Sequence, residues 1–210
     1  AILAVGFRVR SSRGTEFRRW ANTTLRDYLQ KGFLIDDERL KNPDGRPDYF
    51  DELLARIRDI RASEKRFYQK LRDLFALSVD YDKTEKETQL FFAEIQNKLI
   101  FAVTGKTAAD LICARADASA PNMALTSWEG TRVRVRDIYT AKNYLSSDEI
   151  DTLNRIVTVF LESAELRAKL SKTLTLRYWK ETADKLLIDH GVNMLSGNGA
   201  NSQEKMKKNV

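Results

Sequence analysis

The stretch FDELLARIRDIRASEKRFYQKLRDLFALS, residues 50–78, decides how the chain is read. Phe50, Leu53, Ile57, Ile60, Glu64, Phe67, Leu71, Leu74 and Ser78 alternate three- and four-residue steps, and seven of these nine positions are apolar. The spacing predicts one helix with a coiled-coil-like seam over about four heptads, roughly 40–45 Å long at 1.5 Å per residue. Asp48 is placed to cap it, with Asp51 and Glu52 in the first turn, where the helix dipole favours carboxylates. A seam of this length needs a long partner.

The sequence that follows supplies one. Thr84-Glu85-Lys86-Glu87 reads as a capping box, and Leu90, Phe91, Ile95, Leu99 and Val103 mark a second helix closed by Gly105. The connection is short, which favours an antiparallel hairpin within the chain. Pairing of the long helix between two copies, as a homodimer, is the alternative.

Further on, Thr107 caps a small apolar helix over 108–116, and Asp137 starts a short helix to Leu145. Ser146-Ser147-Asp148-Glu149 is a second capping box, opening a helix with Ile150, Leu153, Ile156, Val157, Phe160, Leu161 and Ala164 on one face. Thr175 precedes a last helix that stops at Gly191. Residues 118–136 are the longest irregular stretch. A loop of this length is often functional, and Asn122, Met123 and Trp128 are its candidate partner-binding residues, against the plainer reading of a packed tie between helices. The alternation at 132–136 suggests a short strand pairing with residues 7–10.

Towards the N-terminus, residues 2–10 read as a strand and Thr15 to Gly32 as a helix. Thr15 is its expected N-cap, and Gly32 fits the left-handed position that closes it. Phe17, Trp20, Ala21, Thr24, Leu25, Tyr28 and Leu29 form one apolar stripe, read first as core. Arg18, Arg19 and Arg26 lie outside it. Together with Arg13 they are the candidate nucleic-acid contacts, against a simply solvated basic face. The prolines and glycine of residues 42–47 mark a loop, so the chain divides into 1–45, a helical domain 46–191, and a flexible polar tail 192–210.

Composition narrows the chemistry. The net charge is +6 over 210 residues, and residues 1–35 hold seven Lys or Arg against two Asp or Glu, an excess of five positive charges. Contact with phosphate would start there. Cys113 is the single cysteine and His190 the single histidine. This excludes an internal disulfide and a zinc site built on His and Cys, makes no Cys–His or Ser–His pair convincing, and fits a reducing cytoplasm. Thr104-Gly105-Lys106-Thr107 ends like a phosphate-binding loop, but no glycine stands where its first one belongs. Asp36, Asp37 and Glu38 with Lys41 only loosely resemble a metal-dependent nuclease site. No run approaches a membrane span. No catalytic residue and no cofactor is expected. The unpartnered opening strand and the absent initiator methionine lead us to expect a C-terminal piece of a longer protein.

The blocks Val5–Ser11, Arg13–Ala21, Lys31–Phe33, Asp36–Lys41, Thr107–Ile112, Arg115–Asp117, Pro121–Met123, Leu125–Trp128, Ala141–Leu145 and Leu153–Thr158 resemble, in order, the RhuM family of bacterial virulence-associated proteins. The resemblance covers residues 1 to about 190. It implies a helix-turn-helix-like segment ahead of residue 1, through which DNA would be bound. The strand with Phe17-Arg18-Arg19-Trp20-Ala21 also resembles the N-terminal domain of phage antirepressors. The resemblance implies no reaction and no catalytic residue.

The expected fold is mainly α: a helical domain built on a long antiparallel helix hairpin, with a short β element and helix at the N-terminus as the remnant of an α+β module. The expected function is that of a non-enzymatic, DNA-linked, virulence-associated regulator whose present part oligomerises or receives a signal or partner. The alternative is a virulence effector or toxin-like protein acting through protein contacts.

Overall fold

A computed structural model describes residues 8–42, 45, 47–81, 85–170, 173–195, 197 and 199–210, apart from the side chains of Glu64, Glu85, Glu87 and Thr88. The fold is mainly α, and no strand occurs among the described residues. Two compact units are formed, Ala1–Glu52 and Leu53–Val210.

In the first unit α1 spans Ser12–Lys31 and α2 spans Asp37–Lys41. The N-cap of α1 is Ser11, not Thr15: the Ser11 hydroxyl accepts from Gly14 N at 3.1 Å, and the Thr15 hydroxyl donates to Ser11 O at 3.2 Å. Gly14 lies inside the first turn, where the backbone before it folds back closely. A Cβ on Gly14 would come 2.4 Å from Val9 O. Gly32 closes α1 in the left-handed region, φ 80°, as expected. Of the expected strand, residues 2–7 lie outside the described residues, Arg8 is helical, and Val9 and Arg10 are irregular. The apolar stripe of α1 is not core. Trp20 is 61% and Leu29 74% exposed, with Leu25 and Tyr28 also exposed, and only Gly14 is buried in this helix.

The long seam does not form one helix. α3 covers Phe50–Arg61 and α4 covers Glu64–Phe75, with Asp48 Oδ1 accepting from Phe50 N at 2.9 Å. Between them Ser63 is extended, and its hydroxyl donates to Ile60 O at 2.7 Å. Here a serine competes successfully with the helix ladder for a backbone carbonyl. The two halves of the seam then part company: Phe50, Ile57 and Ile60 are exposed, whereas Phe67, Leu71 and Leu74 are buried. The buried half is used up inside the chain and offers no surface to a second copy.

What covers it is a set of helices rather than one hairpin arm. α5 (Glu85–Thr104) packs against α4, α6 (Ala108–Arg115), α8 (Ser147–Leu170) and α9 (Leu176–Asp189), α8 also packs against α4 and α9, and the short α7 (Val135–Ile138) lies against the 3-10 turn Ala141–Tyr144. Phe75 meets Phe91 edge-on at 4.3 Å between centroids, Tyr68 meets Phe92 at 4.7 Å, and Phe67 meets Phe160 at 6.3 Å. Each such aromatic pair contributes about 0.5–1.5 kcal/mol beyond its buried area. Ser78, the polar end of the seam, accepts the indole N–H of fully buried Trp179 at 2.9 Å. Thr107 caps its helix as expected, Thr175, expected only to precede the last helix, caps it, and Ser146 and Glu149 form the capping box. Thr84, of the other expected box, lies outside the described residues. The expected strand at 132–136 is instead an irregular approach to α7, because the Asp137 carboxylate takes Arg134 N at 2.7 Å and opens a helical turn. The helix expected from Asp137 to Leu145 is split into α7 and a 3-10 turn, Ala141–Tyr144.

The C-terminal segment is docked, contrary to the expectation of a flexible tail. Ser202 caps α10 (Gln203–Asn209), and Met206 is fully buried. The Asp110 carboxylate accepts from Thr107 Oγ1 (2.7 Å), Ala200 N (3.1 Å), Asn201 N (2.9 Å) and Asn201 Nδ2 (2.8 Å). A side chain at position 199 would strike this clamp: a Cβ on Gly199, at φ +80°, falls 2.5 Å from Asp110 Oδ2. Partial burial raises the Asp110 pKa, but the hydrogen bonds from Thr107, Ala200 and Asn201 outweigh it and hold the carboxyl below its ordinary value.

Asp110→Ala should release residues 199–210. Trypsin would then cut faster at Lys205, Lys207 and Lys208, and urea unfolding would show a loss of about 1–3 kcal/mol, the usual cost of stranding buried hydrogen-bonding groups. Because the folded pKa is depressed, the clamp stabilises above the unfolded value of about 3.9 and is lost as pH falls through the lower folded value. Unchanged cleavage at these lysines would contradict the clamp.

Candidate functional site

The four arginines singled out on α1 do not form one patch. The Arg18 guanidinium donates to Val9 O at 2.8 Å and to Thr15 Oγ1 at 3.1 Å, so it ties the helix start to the preceding chain. Arg13, Arg19 and Arg26 are exposed. At 100° per residue, Arg19 and Arg26 share one face two turns apart, while Arg13 projects with Trp20 and Thr24. The apolar stripe and the Arg19–Arg26 face therefore lie on different sides of one exposed helix.

The loop following α6 is held by a polar scaffold. Arg115 donates from both terminal nitrogens to the Glu149 carboxylate, each at 2.6 Å, and from Nη1 to Tyr144 O at 2.7 Å. Glu149 Oε2 also accepts from Ser146 N at 2.8 Å. The Arg115 guanidinium, against a smaller opposing effect of burial, brings the Glu149 pKa down to about 2. On the next turn Asn143 O accepts Thr126 N and Thr126 Oγ1, both at 2.8 Å, while Asn143 Nδ2 donates to Asp137 O at 3.0 Å. The Tyr144 hydroxyl donates to Ile138 O at 3.0 Å, and burial raises its pKa. Arg115, Asp137, Asn143, Tyr144 and Glu149 escape sequence reasoning as a group. The Ser146–Glu149 capping box signals one of them, and Asp137 is legible only as a helix start.

Within this frame Asn122, Met123 and Ala124 adopt φ values of 55°, 60° and 59°. Three successive left-handed residues other than glycine cost roughly 1–2 kcal/mol each. The turn is closed by Met123 N donating to Ala120 O and Leu125 N to Asn122 O, each at 3.2 Å, and Leu125 is buried beneath it. Asn122 is exposed and Met123 half-buried. Trp128 is half-buried and packs against the core, so it serves first to hold the loop down. The structure thus places Asn122 and Met123 on one strained turn, and packs Trp128 against the core.

The remaining charged clusters join helices. Lys98 bridges Asp184 (2.6 Å) and Glu94 (3.3 Å), and Lys180 reaches Glu94 at 2.7 Å. Burial disfavours the Lys98 charge, but Asp184 and Glu94 prevail and leave its pKa raised. Arg61 pairs with Glu162 and with Glu165 (3.1 Å). His190 sits exposed at the end of α9, as expected of a helix-end histidine, and Cys113 is half-buried and unbridged. Among the described residues no three His, Cys, Asp or Glu side chains gather as a metal site, and no helix is long and apolar enough to cross a membrane.

A family model for the virulence protein RhuM family matches residues 1–210, and the chain belongs to that family. No curated protein and no solved structure matches the chain.

The Arg115–Glu149 pair yields a signed prediction. Glu149 has a depressed folded pKa, so it stabilises above the unfolded value of about 4.3 and loses that contribution as pH falls towards 2. Urea midpoints of the native chain should fall over that window by an amount worth about 2 kcal/mol after allowance for solvent screening. Glu149→Gln should already be destabilised at pH 7 and show a flatter acid limb. An acid limb as steep as that of the native chain would refute the assignment.

Proposed function

We propose that this chain is a non-enzymatic, virulence-associated regulator that works by association, with DNA as its linked target. Membership of the family supports the virulence association. The observation that carries the rest is α1 itself: Trp20, Leu25, Tyr28 and Leu29 form an exposed apolar stripe, and large exposed apolar patches mark association surfaces. Arg19 and Arg26 stand on another face of the same helix, where they are accessible to phosphate while the stripe is covered. A cytoplasmic setting goes with this reading, since the single cysteine is unbridged.

A second reading has its own observation. The fixed left-handed turn at Asn122–Ala124 presents two side chains on a rigid frame, which suits an effector that grips a protein partner. Strain of this kind is concentrated at functional sites.

Light scattering and DNA titration separate the two. On the regulatory reading the chain is a dimer or larger, and Trp20→Asp with Leu29→Asp makes it a monomer without loss of helix content. Duplex DNA binds at low salt, and Arg19→Ala with Arg26→Ala reduces the slope of log affinity against log salt by about 2, one unit per lost phosphate contact. Arg18→Ala should mainly fray the start of α1. A chain that is monomeric at every concentration and has no DNA affinity at low salt rules the reading out, and Asn122→Ala then becomes the variant to test against a partner.

A further inference from the structure

Two basic segments far apart in the sequence meet in the second unit. Residues 128–139 and 202–209 together hold six Lys or Arg against three Asp or Glu, an excess of three positive charges. Gln203 of α10 and Tyr139, which ends α7, line one cavity of about 290 Å3, and Lys207 Nζ lies 5.9 Å from the centre of the Tyr139 ring. α10 is therefore seated against the end of α7. Its inner side is fixed by fully buried Met206, and Lys205, Lys207 and Lys208 are exposed. On the other segment Val133 is half-buried and packs against the core, while its neighbours Arg132 and Arg134 are exposed, as in a chain that alternates sides. Arg134 lies one turn of helix, roughly 8 Å, from Tyr139. These five cations have no ion-pair partner among the described residues. Arg136, the sixth, is engaged by Glu129 and, at 3.8 Å, by Asp137, which leaves Glu204 to oppose the five.

We propose that this surface binds the phosphate backbone of duplex DNA without reading bases. Like charges gathered on fixed elements, with few counter-charges among them, raise the local positive potential, and a polyanion is the partner this favours. The arginines offer guanidinium forks and the lysines point charges, and both suit phosphate oxygens. Nucleic acid fits better than a bilayer, because Val135 is the one large apolar side chain exposed among the described residues of these segments. That is too little apolar surface to enter an acyl layer. α10 has seven residues, about 10 Å of helix, so neither segment supplies an element of the kind that reads a major groove. Contact with the backbone positions a protein on the duplex and carries no sequence information. The inference takes its partner, DNA, from the regulatory reading, but none of its residues lies on α1. Only the fold joins residues 132–134 to residues 205–208, through the Asp110 clamp and Met206 that seat α10.

The test uses the full chain and labelled duplexes of about 20 base pairs, with affinity measured between about 50 and 200 mM salt. Two unrelated duplex sequences should bind equally within about threefold. Lys205→Gln with Lys207→Gln and Lys208→Gln should reduce the slope of log affinity against log salt by about 2–3. Arg132→Gln with Arg134→Gln should reduce it by about 2, near 0.9 for each lost phosphate contact. Both variants should keep the native circular dichroism spectrum, since Asp137 takes the backbone N–H of Arg134 and not its side chain. As a control, Lys86→Gln with Lys169→Gln and Lys185→Gln removes three exposed lysines of α5, α8 and α9 and should reduce the slope by less than about 1. Equal losses in the control and the α10 variant would mean a general effect of net charge and overturn the proposal. A loss confined to Arg19→Ala with Arg26→Ala would also overturn it, while leaving the regulatory reading in place. So would the absence of duplex binding at about 50 mM salt, with or without binding to vesicles one-third phosphatidylserine. Losses in both surface variants of a chain that is monomeric at every concentration would uphold the proposal and count against the dimer of the regulatory reading.

Discussion

The Arg115 guanidinium is the point where three elements of the second unit are joined. It leaves the last turn of α6, grips Glu149 in the first turn of α8 by two parallel bonds, and holds the Tyr144 carbonyl at the end of the 3-10 turn. A planar fork on a carboxylate fixes direction as well as distance, which a lysine would not do. With those three ends fixed, Asn143 is positioned to take Thr126, and the long loop is fastened without any regular structure of its own. The strained turn at 122–124 persists because both its ends are tied to this frame.

The same frame places the 3-10 turn beside a cavity of about 290 Å3. Lys142 and Asn143 on that turn line it together with residues of α4, α5 and α8. The Asp110 clamp acts from another side: by fixing Asn201 it orients α10, which brings Gln203 to the rim and Met206 into the core. A single carboxylate at the N-terminus of α6 thus ties residues 200 and 201, just ahead of α10, to the folded unit. Both tethers are charge-assisted hydrogen bonds in partly shielded surroundings, where such bonds are worth more than surface ion pairs.

The first unit follows a different rule. α1 is capped at both ends and has a continuous apolar stripe, yet the stripe is exposed. Its stability as a helix comes from local terms: the Ser11 cap, the Gly32 closure, the Asp27–Lys31 pair and the Arg18 tether to Val9. These are worth tenths of a kilocalorie to about 1 kcal/mol each, so burial of the stripe by a partner would be the larger stabilising term.

Much local chemistry was legible in the sequence where a residue's partner lies a few positions away, although the Ser11 cap and the break at Ser63, equally local, were not. The caps at Asp48, Thr107, Ser146 and Thr175, the left-handed Gly32, and the apolar faces of α8 and α9 all follow from short-range spacing, and with them the mainly helical class. Tertiary structure alone decided what each face meets. Phe50, Ile57 and Ile60 carry the same pattern as Phe67, Leu71 and Leu74, but one set is exposed and the other buried, because periodicity records that a face is apolar and not what covers it. The brace from Arg115 to Glu149 and the clamp from Asp110 to Asn201 rest on polar groups whose partners are chosen in space. The brace spans 34 positions and the clamp 91. No local spacing encodes such pairs, and the docking of the C-terminal segment and the fastening of the long loop rest on them.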